Sequence, residues 1–191
     1  MRHSVFTIEV CARLDRSGPM HEQLRAIVRE APERVTRDDA WRRQAAAARI
    51  VLRFFDEVER GCWEYFNDER TARAMFDDWC RPLLERDVPR PGPSGAATYR
   101  DADARYLAFT FVYLLAHGSS SDEELRKICD VPPVDLWRRG TFRRLLEAVQ
   151  GLSFASVRAN AMYMTPRDED WGLTPADLAS ERFAYLRVLA P

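Results

Sequence analysis

The stretch that most constrains this chain runs from Arg105 to His117, Arg-Tyr-Leu-Ala-Phe-Thr-Phe-Val-Tyr-Leu-Leu-Ala-His, the one segment apolar nearly all the way round. A helix with no polar stripe belongs in the middle of a bundle, touched by other helices on every side. Every other segment is amphipathic and able to wrap around it. The sequence therefore predicts an all-α fold: a compact bundle of six to eight helices around a central helix at 103–117, forming a single domain over 1–191. The length suits one domain.

Towards the N-terminus, Phe6, Ile8, Val10, Ala12 and Leu14 alternate with more polar neighbours, a period-two pattern that fits a strand. No second convincing strand follows, so residues 1–18 are expected to form an extended arm or edge strand. Helices are expected from Met20, from Thr36 as cap with Asp38 and Asp39 in the first turn, and after Asn67 or Asp68. Gly61 suits a helix stop. Residues 87–98, with Pro89, Pro91, Gly92, Pro93 and Gly95, read as a loop. Further helices are expected at 122–129, at 134–150, at Phe154–Met164, and after Thr174-Pro175-Ala176-Asp177, which is a strong helix start. No repeat stands out at solenoid periods.

Net charge is −1, which argues against a surface tuned as a whole to nucleic acid or anionic lipid. Lys127 is the only lysine among 29 basic residues, as coding in a GC-rich genome would produce. Cys11, Cys62, Cys80 and Cys129 lack the close spacing of a zinc site. The apolar run at 105–117 is too short to span a bilayer, and the N-terminal run is interrupted by polar residues, so no membrane insertion is expected. The expected setting is cytoplasmic, in a bacterial cytosol or in the host cell of a virus.

No nucleophile elbow or glycine-rich phosphate loop is present, and no cofactor is expected. The favoured function is a non-enzymatic protein–protein interaction or regulatory module that binds a partner protein or a second copy of itself. Arg105, Trp63, Trp79 and Trp137 are its candidate contact residues, since tryptophan and arginine dominate binding hot spots. Trp41 and Trp171 are expected to line the core or a groove. His117, at the end of the apolar segment, reads as a helix-end cap.

Three alternatives remain. Residues 122–149 have about the length of a helix-turn-helix, with Arg126, Lys127, Arg138, Arg139, Arg143 and Arg144 able to meet a nucleic acid backbone. Asp56, Glu57 and Asp68 belong to a run of acids that locally resembles the carboxylates holding magnesium against a diphosphate in isoprenoid synthases and all-α nucleotide pyrophosphatases. That resemblance implies a magnesium-dependent phosphohydrolase. Finally, Ala104-Arg105-Tyr106-Leu107-Ala108-Phe109-Thr110-Phe111 resembles the start of the central helix in Bcl-2-like proteins, although Asp103-Ala104 stands where that family carries Trp-Gly. The resemblance implies a groove, with Arg105 at its mouth, that takes an amphipathic helix.

Overall fold

The computed structural model describes residues 2–14, 18–29, 36–84, 104–165 and 172–191. Its centre is an antiparallel sheet of five strands: β1 (His3–Arg13), β2 (Val58–Phe66), β3 (Tyr106–Ala116), β4 (Val157–Thr165) and β5 (Arg187–Val188), in the order β4-β3-β1-β2-β5. The all-α expectation is therefore wrong. The segment expected to be the central helix is β3, paired with β1 from His3↔Ala116 to Arg13↔Tyr106 and with β4 on its other side. The eight residues that resembled a Bcl-2-like helix lie in and just before this strand, so the resemblance falls with the helix.

The physical reason for the error is burial on both faces. Leu107 through Ala116 are all buried, because helices cover the sheet above and below. A strand covered on both sides loses its polar alternation and reads as a continuous apolar run. What distinguishes it from a buried helix is its supply of aromatic and β-branched residues, here Phe109, Thr110, Phe111, Val112 and Tyr113. The N-terminal segment is a strand as expected, but it lies inside the sheet, between β2 and β3, and is no arm. Two more expected helical stretches, around Gly61 and from Phe154 to Met164, are β2 and β4. The loop expected at 87–98 lies outside the described residues.

Among the described residues six α-helices surround the sheet: α1 (Gly18–Arg29), α2 (Arg37–Arg53), α3 (Glu69–Leu84), α4 (Ser120–Cys129), α5 (Arg139–Gly151) and α6 (Pro175–Ala179). On one face Phe6, Ile8, Val10, Phe109, Phe111 and Leu115 meet Leu24 of α1, Val51 of α2, Leu125 of α4 and Phe142 of α5. On the other, Val5, Val112, Leu114 and Tyr163 meet Ala72 and Phe76 of α3. Cys11, Cys62 and Ala108 meet Leu178 of α6 with Phe183 and Leu186 beyond it. Two cap expectations hold: the Thr36 side chain accepts from the Asp39 amide, and Thr174 with Asp177 forms a reciprocal capping box.

The chain repeats itself once. Each half runs strand, two helices, strand, helix: β1-α1-α2-β2-α3, then β3-α4-α5-β4-α6. The inner strands β1 and β3 pair antiparallel, and both outer strands begin at a bulge, between Cys11 and Ala12 opposite Val58 and between Leu114 and Leu115 opposite Val157. Arginines at the first positions of α2 and α5 cross reciprocally. Arg37 donates to the carbonyls of Phe154 and Val157 and lies 4.6 Å from the Phe154 ring centre. Arg139 donates to the carbonyls of Phe55 (2.7 Å) and Val58 (2.5 Å) and lies 5.0 Å from the Phe55 ring centre. The clamped turns share a spacing, Phe55-Asp-Glu-Val58 and Phe154-Ala-Ser-Val157. The contact thus has the self-complementary form of a two-fold dimer interface, built within one chain.

Candidate functional site

Alternation along the strands carries four chemically distinct side chains in one row across the α3 face. Register places Tyr163 of β4 beside Thr110 of β3, Thr110 beside Glu9 of β1, and Glu9 beside Cys62 of β2. Glu9 is only 3% exposed, in the middle of the sheet, where an isolated carboxylate is strongly disfavoured. Two hydroxyls satisfy it: Thr110 donates to Oε2 at 2.9 Å, and Tyr185 donates to Oε1 at 3.1 Å and Oε2 at 3.2 Å. Burial pushes its pKa up to about 7, against the opposing pull of those two hydrogen bonds and of the Arg182 charge. The carboxyl therefore changes charge near neutral pH.

Above this row lies a pocket of about 410 Å³ lined by Cys62 and Glu64 of β2, Met75, Asp78 and Trp79 of α3, Tyr163 of β4, and Tyr185. That size is in the range of small-molecule sites. Tyr185 links the pocket to Glu9, because it lines the cavity and its hydroxyl holds that carboxyl. Trp79 meets it edge to face, with ring centres 6.1 Å apart at 90°. The Trp79 indole N–H reaches Glu64 Oε2 at 3.4 Å. Burial pushes the Cys62 thiol up to about 12, with the charges of Glu64 and Glu9 adding to the rise, so this cysteine is a neutral lining group at neutral pH. Cys11, on the same face, is raised further for the same main reason.

Trp63 and Tyr65, the alternate residues of β2, line a second, smaller pocket on the opposite face. Trp63, Tyr65 and Asn67 face Arg126, Lys127, Cys129 and Asp130 around a volume of about 360 Å³. Trp63 donates to the Leu136 carbonyl at 3.0 Å, and Tyr65 to the buried carboxylate of Asp122 at 2.8 Å. Asp122 also accepts from the Gly118 amide at 2.7 Å, in the turn where Gly118 adopts a positive φ of 74°.

Two of the four residues expected to contact a partner, Trp63 and Trp79, are thus brought to pockets, one on each face. Trp137 packs against Phe142, and Arg105 precedes β3, its carbonyl accepting from the Leu14 amide at 2.7 Å. Of the six basic candidates, Arg126 and Lys127 line the second pocket and Arg144 is exposed. Arg138 pairs with Asp135 at 2.9 Å, and Arg139 and Arg143 face Asp56 across the turn after α2. Asp56 and Glu57 lie in the single 3-10 turn at Phe55–Glu57, while Asp68 starts α3 by accepting from the Thr71 amide and hydroxyl, which lowers its pKa. Among the described residues no group of three His, Cys, Asp or Glu could hold a metal ion. His117 sits in the turn after β3, its Nδ1 3.1 Å from the Ser4 hydroxyl and 3.6 Å from Asp122.

Sequence reasoning missed Glu9, Thr110, Tyr163 and Tyr185. One signal was available: Glu9 stands alone as a charged residue between Ser4 and Ala12. On an edge strand such a residue would face solvent, and only the placement of β1 inside the sheet makes it a buried acid. No known protein family, curated protein or solved structure matches this chain, so function rests on the geometry alone.

Proposed function

We propose that the protein is a binding module whose ligand occupies the pocket over Glu9. One observation carries the reading: a buried carboxyl, held by Thr110 and Tyr185 and shifted towards neutrality, lies directly behind Tyr185, which with Trp79 and Tyr163 lines a pocket. A buried ionisable group beneath an apolar cavity with a few convergent polar groups is the usual form of a ligand site. The test is a thermal-shift panel of small cations, carboxylates and neutral aromatics. At least one class should raise the melting temperature, as any ligand that binds only the folded state must. The rise should vanish in Trp79→Ala and in Tyr185→Ala. A flat response across all classes from well-folded protein would count against the reading.

Binding of a partner protein, or self-association, is a second reading. Val134 and Val188 are 76% and 65% exposed, the two most exposed large hydrophobic residues among those described, and Val188 lies on the short edge strand β5. The four cysteines are free thiols, which supports a reducing setting such as a bacterial cytosol or a host cell. Among the described residues no helix is long and apolar enough to cross a membrane.

A further inference from the structure

We infer that the pocket over Glu9 takes an organic cation, an amine or quaternary ammonium on an apolar body. The inference rests on the ligand-pocket reading above and names the ligand's chemistry. Trp79, Tyr163 and Tyr185 supply three aromatic rings, Glu64 and Asp78 supply two carboxylates, and Met75 supplies a polarisable wall. Lysine, arginine and histidine are absent from the described lining. Aromatic faces together with carboxylates attract a cation and penalise an anion, because the ring quadrupole and the carboxylate charge have the same sign towards the ligand.

The lining carboxylates are held loosely enough to exchange partners. Among the described residues Glu64 has only the long contact from the Trp79 indole, and Asp78 forms an exposed pair with Arg81 one turn along α3, the weak kind of ion pair. Glu9 lies beneath as a third acidic group, behind the Tyr185 hydroxyl. The charge of Arg182 reaches Glu9 and that of Arg187 reaches Cys62, but neither arginine lines the cavity. An apolar cation would exchange its own hydration for this aromatic and acidic lining, while a neutral ligand of the same shape would gain only the packing.

Calorimetric titration of the full chain at neutral pH tests this, with choline, benzyltrimethylammonium and 3,3-dimethylbutan-1-ol, the uncharged isostere of choline, as probes. Expected are binding of at least one cation and about tenfold or weaker binding of the isostere. Glu64→Gln and Trp79→Ala should each weaken cation binding about tenfold, while Asp38→Asn, at the exposed Asp38–Arg42 pair on α2, leaves it unchanged. Should Trp79→Ala fail to fold, Glu64→Gln and Trp79→Phe carry the same comparison. If neither cation binds, or if the isostere binds as tightly, the inference is overturned. The ligand-pocket reading would still stand where the isostere binds, or where another class gives a thermal shift. Cation binding indifferent to Glu64→Gln and to the Trp79 variant would place the ligand elsewhere, and that also overturns it.

Discussion

Replacing Glu9 by glutamine should change the pH dependence of stability in a defined direction. In the folded protein burial raises the Glu9 pKa from an ordinary 4.5 to about 7. Between those values the folded state binds a proton that the unfolded chain has lost. Stability from this site is therefore fully present below about pH 4.5 and is lost as pH rises through 7. One pKa unit corresponds to about 1.4 kcal/mol, so the whole change is about 3 kcal/mol, most of it between pH 5 and 8. Glutamine keeps the shape without the charge, and since the Thr110 and Tyr185 hydroxyls can rotate to accept as well as donate, its amide can be satisfied. Urea unfolding at a series of pH values, read by tryptophan fluorescence, gives both curves. Relative to Glu9→Gln, the parent should lose about 3 kcal/mol from pH 5 to pH 8, with a slope approaching 1.4 kcal/mol per pH unit at the steepest. Curves that run parallel over this range would refute the reasoning, since Glu9 would then be no more shifted in the folded state than in the unfolded chain.

Other variants test the frame that holds the site. Gly61→Ala should destabilise by about 1–3 kcal/mol in the same urea assay, because a Cβ there would overlap the Phe142 ring and stand 2.9 Å from the Glu9 carbonyl oxygen. Arg37→Ala and Arg139→Ala should each cost about 1–3 kcal/mol and by similar amounts, since each removes one charged donor from two backbone carbonyls in corresponding turns. Thr174→Ala should cost about 1 kcal/mol and raise hydrogen exchange selectively in α6, whose capping box it breaks.

What the sequence revealed depended on how local the cause was. Thr36, Thr174 and Asp177 act within one helical turn, so their caps could be read directly from the residues. The strand period at the N-terminus was visible because Phe6, Ile8, Val10 and Ala12 share one face. The sheet itself was not visible, because β3 pairs β1 across about a hundred residues and both are covered on two faces. The duplication was equally hidden: its shared residues, such as Phe55 with Val58 and Phe154 with Val157, are spread thinly through dissimilar helices. Arg138, Arg139 and Arg143 looked like a basic face for nucleic acid; two of them instead hold the turn at Phe55–Val58 through carbonyls, an aromatic ring and Asp56. Backbone carbonyls leave no mark in a sequence, so a clamp of that kind reads only as loose positive charge.

The repeat also supplies a comparison for Glu9. The matching bulges align Ala12 with Leu115, so Thr7 corresponds to Thr110 and Glu9 to Val112. The pair Glu9–Thr110 in the sheet therefore has its counterpart in Val112–Thr7, which is also a registered pair. There Val112 is fully buried beneath α3, and the Thr7 hydroxyl has no hydrogen-bond partner among the described residues. The twin position thus carries a valine beside this threonine and no carboxyl. A titrating acid at the twin position is a cost to stability near and above neutral pH. Glu9→Val should then be at least as stable as the parent at pH 8, to within about 1 kcal/mol, since replacing a buried charge with an apolar side chain of fitting volume is often neutral or better. It should at the same time change the response of the pocket to ligands, because Tyr185 loses the acceptor that orients its ring. Loss of several kcal/mol at pH 8 would make Glu9 a structural residue; preserved stability with altered binding would leave it to the ligand.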